Sequence, residues 1–230
     1  MTAAANRVCS KMAALNRFGA MVLLSLAFVV VLWAGDFEPF IAKTRHTSTI
    51  TVDGKVVKFA ISEHTYMRAS NGSVRHEIRE LHNGVPSTTP ISITLSDVVE
   101  QKTYSLDDAK KIALVASSFN DPRQQYQDSF NTAGHTLQTY MEIPCVSLTS
   151  VFQANGKTVS TGTSCRAVNY GIMIHEIAEI PDPKTGGTLE WKTDLVNFFK
   201  TEPSANLMKV LLDYQQVQST ALGMPPKPAK

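Results

Sequence analysis

Two stretches carry residue types that bind zinc or move protons: "VRHEIRELH" at 74–82 and "IHEIAEI" at 174–180. A zinc-hydrolase helix places its second histidine four residues after the first, so that both imidazoles leave one helical face. Four residues after His76 stands Glu80, and four after His175 stands Glu179, so both stretches miss that spacing. Read with a period of two, Val74, His76, Ile78 and Glu80 share one face of a strand and Arg75, Glu77, Arg79 and Leu81 the other. Arg75, Glu77 and Arg79 then form a solvated charge row, while Glu77 and Glu80 point apart and make a poor acid/base pair. A metal site across strands would need two or three of His64, His76, His82, His135 and His175 within ligand distance. There is no nucleophile elbow, phosphate-cradling glycine loop, dinucleotide fingerprint or Cys-x-x-Cys. The expectation is a chain without catalytic residues, metal or cofactor.

The elements that would position such side chains are strands. In "KVVKFAISEHTYMRA" the residues Val57, Phe59, Ile61, Thr65 and Met67 share a face interrupted only by Glu63, as in a long strand covering something apolar on one side. Asp53-Gly54 and Asn71-Gly72 bracket it as tight-turn dipeptides. Further strands are expected at 73–81, at 91–95 with Ile91, Ile93 and Leu95 alternating, and at 101–106. From Ser105 the pattern shifts toward a helix over 107–119, with Asp107 and Asp108 in its first turn and Ile112, Val115 and Phe119 on one side. Strands return at 135–152, 157–170, 171–180 and 188–200, followed by a closing helix through Leu207, Val210, Leu211, Tyr214 and Val217. The fold class expected is mainly β (α+β): a curved antiparallel sheet or incomplete β-barrel with one or two covering helices.

Ahead of this domain, residues 18–35 hold no charge and follow a segment containing Arg7, Lys11 and Arg17 but no acid. Such a run fits a signal peptide or an uncleaved single-pass anchor, and the flanking charges place the amino terminus in the cytoplasm and the bulk on the far side. Small residues are missing from the −3 position of either plausible cut, which favours the anchor. Residues 36–45 read as a linker, 46–219 as the domain and 220–230 as a disordered tail. Without its first 35 residues the chain has 19 bases against 20 acids. That balance lacks the basic footprint nucleic acid requires.

Export makes a disulfide plausible. Cys145 and Cys165 flank "VFQANGKTVS"; a three-residue loop at 154–156 would set them opposite one another, whereas the alternative is two separate buried thiols.

The run "YMRASNGSVRHEI", then "ISITLSDVVEQKTYSLDDAKKIA" with Asp97, Tyr104, Leu106 and Asp107, then "DPKTGGTLEWKTDLVNFFKTEPSANLMKV", resembles exported bacterial proteins of the periplasmic lipoprotein-carrier superfamily over about residues 46–215. The resemblance implies a curved, incompletely closed antiparallel barrel that shelters an acyl chain and has no catalytic residue. On that reading Val57, Phe59, Ile61, Met67, Ile91, Ile93 and Leu95 line an apolar hollow, and Ile112, Val115 and Phe119 belong to its lid. The competing expectations are a filled core with an interaction role in the envelope, and a metal-dependent hydrolase. A retained anchor at residues 18–35 would depart from a freely diffusing carrier.

Overall fold

The computed structural model describes residues 37–124, 136–154, 157–181 and 186–219. Segment 18–35, the tail, His135 and the Asn155-Gly156 turn lie outside these residues. Among the described residues no helix is long and apolar enough to cross a membrane.

Period-two patterning dominates the outcome: among the described residues thirteen strands form one sheet. In chain order they are β1 (Phe40–Val52), β2 (Lys55–Arg68), β3 (Val74–His82), β4 (Val85–Pro86), β5 (Ser92–Asp97), β6 (Lys102–Asp107), β7 (Ile112–Val115), β8 (Thr136–Tyr140), β9 (Ile143–Ala154), β10 (Lys157–Ala167), β11 (Met173–Pro181), β12 (Thr188–Phe199) and β13 (Gln215–Gln218). Across the sheet the order is β13, β7, β6, β5, β3, β2, β1, β12, β11, β10, β9, β8, with β4 on β3 off this path. The sheet stays open, with β13 and β8 as its edges, and the β13–β7 pair is its parallel ladder.

The Asp53-Gly54 turn forms as its dipeptide requires, both residues having positive φ (50° and 71°). The expected strand 135–152 instead breaks at Met141-Glu142, with φ values of 47° and 66°. The segment read as a linker already contains the start of β1, because Phe40 and Ala42 are fully buried.

Both expected helices are absent. At 107–119 the capping chemistry is present, since Asp107 Oδ1 accepts from the Lys110 backbone N–H at 3.0 Å. It closes a turn rather than a helix: Lys111 goes left-handed (φ 52°), and Ile112–Val115 then pairs with β6, burying Ala113 and Val115. A four-residue apolar run fits either period, and the available sheet edge decided it. The closing segment makes isolated turns at 204–207 and 211–214 and then adds β13 to the edge. Its backbone is spent on neighbours: Leu207 O accepts from Arg75 Nη1 at 3.1 Å, and Gln215 N–H donates to Lys111 O at 2.8 Å.

Cys145 and Cys165 are bonded, with Cα atoms 5.5 Å apart, and both are buried. The expected register is corrected. Ala154 pairs with Lys157, and a bulge between Thr158 and Ser160 shifts the ladder once more, so Cys165 faces Ser147 and Cys145 faces Ala167. The bridge is therefore diagonal. Replacing both cysteines by alanine is expected to cost about 3 kcal/mol in denaturant unfolding on the chain-entropy model.

Among the described residues two buried clusters pack against the sheet. One gathers Phe40, Cys145, Tyr170 and Ile174; the other gathers Met67, Leu95, Tyr104 and Val115 beneath Met208 of the closing segment. Near the first core β10 and β11 approach closely at Gly162, where an added Cβ would lie 2.8 Å from Ala178 Cβ and 3.1 Å from Ile177 O. Gly162→Val should therefore lower stability by about 1–3 kcal/mol, read as a fall in urea midpoint at unchanged slope.

Candidate functional site

At the β13 end of the sheet, one face of β5, β6, β7 and β13 forms the floor of a half-open cavity of about 510 Å³. Its position follows from register. Ser105 pairs with Leu114 and Leu114 with Val217, so these three side chains share one face. Ile91 and Ile112 complete the apolar wall, Leu106 of the opposite face only borders it, and Asp107, Asp108 and Lys110 from the β6–β7 turn stand at the same cavity. The turn is held by ion pairs: Lys110 Nζ to Asp107 at 2.9 Å and Lys111 Nζ to Asp108 at 2.6 Å. Each lysine holds its partner's carboxyl below the usual range chiefly through its side-chain hydrogen bond, helped next by the Lys110 backbone N–H at Asp107 and by the Tyr214 hydroxyl at Asp108.

The residues expected to line an apolar hollow are scattered. Val57 and Phe59 are about 60% exposed, at 60% and 58%, because the outer end of β2 runs beyond the covered part of the sheet; Ile61 is half-buried. Met67, Ile93 and Leu95 are buried in the second core, together with Val115. Ile91 and Ile112 reach the cavity wall. Phe119 is half-buried and is not part of that wall. Leu114 and Val217 were not expected at this wall, since the first lay inside the expected helix 107–119 and the second was read as part of the closing helix, whereas it belongs to β13, paired with β7.

The histidines divide differently. His64 and His76 meet, with His76 Nε2 and His64 Nδ1 3.1 Å apart, and the third member is His46. His46 stacks on His64 with ring centroids 3.7 Å apart, and Tyr66 stacks on His76 at 4.3 Å. The ladder explains this, because His46 pairs with Ser62, His64 with Thr44, and His76 with Tyr66, so the three rings step diagonally across β1, β2 and β3 on one face. Thr44, Ser62 and Thr193 hydroxyls hydrogen-bond to the ring nitrogens of His46 or His64 at 2.9–3.1 Å. Burial pushes His46 and His76 down to about 4 and His64 to about 3, with the neighbouring rings adding to the shift at His46 and His64. The row is therefore neutral at ordinary pH.

His82 is exposed beside Glu80 at 3.4 Å. His175 packs on Tyr140 and contacts Asp194 at 3.1 Å, on the opposite face from the row. Among the described residues no group of three or more His, Cys, Asp or Glu side chains is arranged to hold a metal.

No family model and no curated protein matches the sequence. Among solved structures the chain is similar to a beta-barrel-like protein of domain of unknown function DUF1849 from Brucella abortus, with 10% identity and a TM-score of 0.38 over 74% of this chain and 100% of that one. It is also similar to a chain of the crystal structure of MucB in complex with MucA(peri), with 13% identity and a TM-score of 0.33, over 82% of this chain and 60% of that one. A DUF1329 family protein from Desulfovibrio piger ATCC 29098 is similar at 10% identity and a TM-score of 0.32, over 79% of this chain and 93% of that one.

Proposed function

We propose that the chain is an exported, non-enzymatic binding module that holds an acyl chain in the cavity beside β5, β6 and β7. The observation that carries this reading is the half-open cavity of about 510 Å³, walled by Ile91, Ile112, Leu114 and Val217 with charged groups beside it. That combination suits a ligand with one apolar and one polar end, and the volume lies in the usual range for small-molecule sites. The uncharged segment 18–35 after a basic start and the Cys145–Cys165 bond both favour the translocated side of a membrane. The lipid-sheltering role implied by the carrier resemblance is kept, but its place moves. The middle of the sheet is filled by Met67, Ile93, Leu95 and Met208, so the ligand goes to the edge.

The test is native mass spectrometry of the full chain released from a bacterial envelope, with lipid analysis of what dissociates. A co-purifying acyl species is expected, and Leu114→Arg should weaken its binding at least tenfold by putting a charge in the apolar wall. A parent chain free of acyl species that takes none up on incubation would reject the proposal. A second reading, a protein-interaction domain, has one observation in its favour: Val56, Val57 and Phe59 are all more than half exposed near the tip of the β1–β2 hairpin.

A further inference from the structure

The floor of the half-open cavity continues along the same face of the sheet to the histidine row. Cross-strand partners share a face, and two lines of such partners begin at Ser105 and Ser92, both of which line the cavity. In one, Ser105 pairs with Thr94 and Thr94 with His76. In the other, Ser92 pairs with Ile78 and Ile78 with His64. Each line crosses two strand spacings, about 10 Å. Thr94 and Ser105 are exposed, and Ser92, Ile78, His64 and His76 are half-buried, so the path lies at the surface.

The groups along this path form hydrogen bonds without carrying charge. Among the described residues no protein partner engages the hydroxyls of Ser92, Thr94 and Ser105, and His76 is held through Nε2 alone, by His64 Nδ1 at 3.1 Å. Hydroxyls and neutral imidazoles both donate and accept. On this face β3, β5, β6 and β7 carry no lysine or arginine, because Arg75 and Arg79 leave β3 on the other side, and their carboxylates are Glu80 and Asp107. The β6–β7 turn has the same sign. Asp107, Asp108 and the adjoining Asp213 are matched there by Lys110 and Lys111, three acids against two bases. An anionic head group would therefore meet carboxylates and no spare cation, a like-charge arrangement that opposes binding.

We infer that the polar end of the cavity's ligand is an uncharged, hydroxyl-bearing head group that lies over Ser105 and Thr94 toward His76, while the tail rests on Ile112, Leu114 and Val217. The inference rests on the acyl-binding reading and adds the head-group class. Thr94 is the residue to test, because it is exposed and valine keeps its branched shape on the strand while removing the hydroxyl.

The experiment compares equilibrium binding of glyceryl monododecanoate, dodecanoate and dodecyltrimethylammonium to the full chain and to Thr94→Val, at neutral pH and below micelle-forming concentrations. The glyceride should bind the parent about fivefold more tightly than either ion. Thr94→Val should weaken the glyceride about fivefold, as expected for one lost hydrogen bond between uncharged groups, and leave both ions within about twofold of the parent. Binding of either ion as tight as the glyceride overturns the head-group assignment and leaves the acyl cavity standing. So does a Thr94→Val effect that is absent or equal for all three probes, since the hydroxyl would then not be read by the head group. Failure of all three to bind the parent overturns both readings.

Discussion

Replacing Arg68 by alanine is expected to lower the unfolding free energy by about 3–5 kcal/mol, the range for removing one member of a buried, hydrogen-bonded charge cluster. The side chain is 1% exposed at the end of β2. Its Nε and Nη2 donate to Glu38 O at 3.2 and 2.8 Å, and Nη2 also donates to Asn169 O at 2.9 Å. The guanidinium carbon lies 5.0–5.6 Å from the ring centroids of Phe37, Phe40 and Tyr170, and such desolvated cation–π contacts each add to the cost of removal. One side chain thereby joins the entry to β1, the end of β2 and the turn after β10. The Glu38 carboxylate supports the same cluster, accepting from the Tyr170 hydroxyl and pairing with Lys200 at 2.9 Å. Arg68→Lys keeps the charge but cannot reach two carbonyls with a planar fork, so it should recover less than half of the loss. Urea unfolding checks both variants, and a midpoint shift worth under about 1 kcal/mol for Arg68→Ala would contradict the account.

Arg68 also shows where sequence reading stops. Its strand was legible, since "KVVKFAISEHTYMR" alternates cleanly and Asp53-Gly54 marks its start. Its partners were not, because Asn169 is 101 residues away and no local pattern encodes that distance. Turns followed the same division. Asp-Gly advertises positive φ, whereas Gln101, Lys111, Met141 and Glu142 adopt it without a residue type that favours it. The cavity was half visible for the same reason. Ile91 and Ile112 stood out as apolar positions, while Leu114 and Val217 become neighbours through a parallel β13–β7 ladder that joins segments about a hundred residues apart. Of the histidine row, His64 and His76 were flagged and His46 was passed over, since "TRHTST" has no ligand spacing to notice.

That row should make the protein sensitive to acid above the range where carboxylates titrate. Unfolded imidazoles have a pKa near 6.5, while His46 and His76 are held at about 4 and His64 at about 3. Between those limits the unfolded chain binds more protons than the folded one, so stability is complete above pH 6.5 and is lost progressively as pH falls toward 4 and below. At face value the shifts would represent about 3 kcal/mol each for His46 and His76 and about 5 kcal/mol for His64; partial exposure and screening reduce the sum for all three to roughly 4 kcal/mol. The groups around the rings do little to relieve the protonated state. Glu77 favours charged His76, yet it is already engaged by Arg75 and Arg79, and Glu176 reaches the row only through the Thr193 hydroxyl at 3.4 Å. A first proton on His64 would also face His46 in stacked contact, so each ring opposes charging of the next. Thermal unfolding from pH 7 to 4 should therefore show a steep fall in Tm for the parent. His64→Gln, which keeps a hydrogen-bonding side chain and removes the central titrating group, should flatten it by about a third or more, and parallel curves for the two proteins would mean that carboxylates elsewhere carry the acid response.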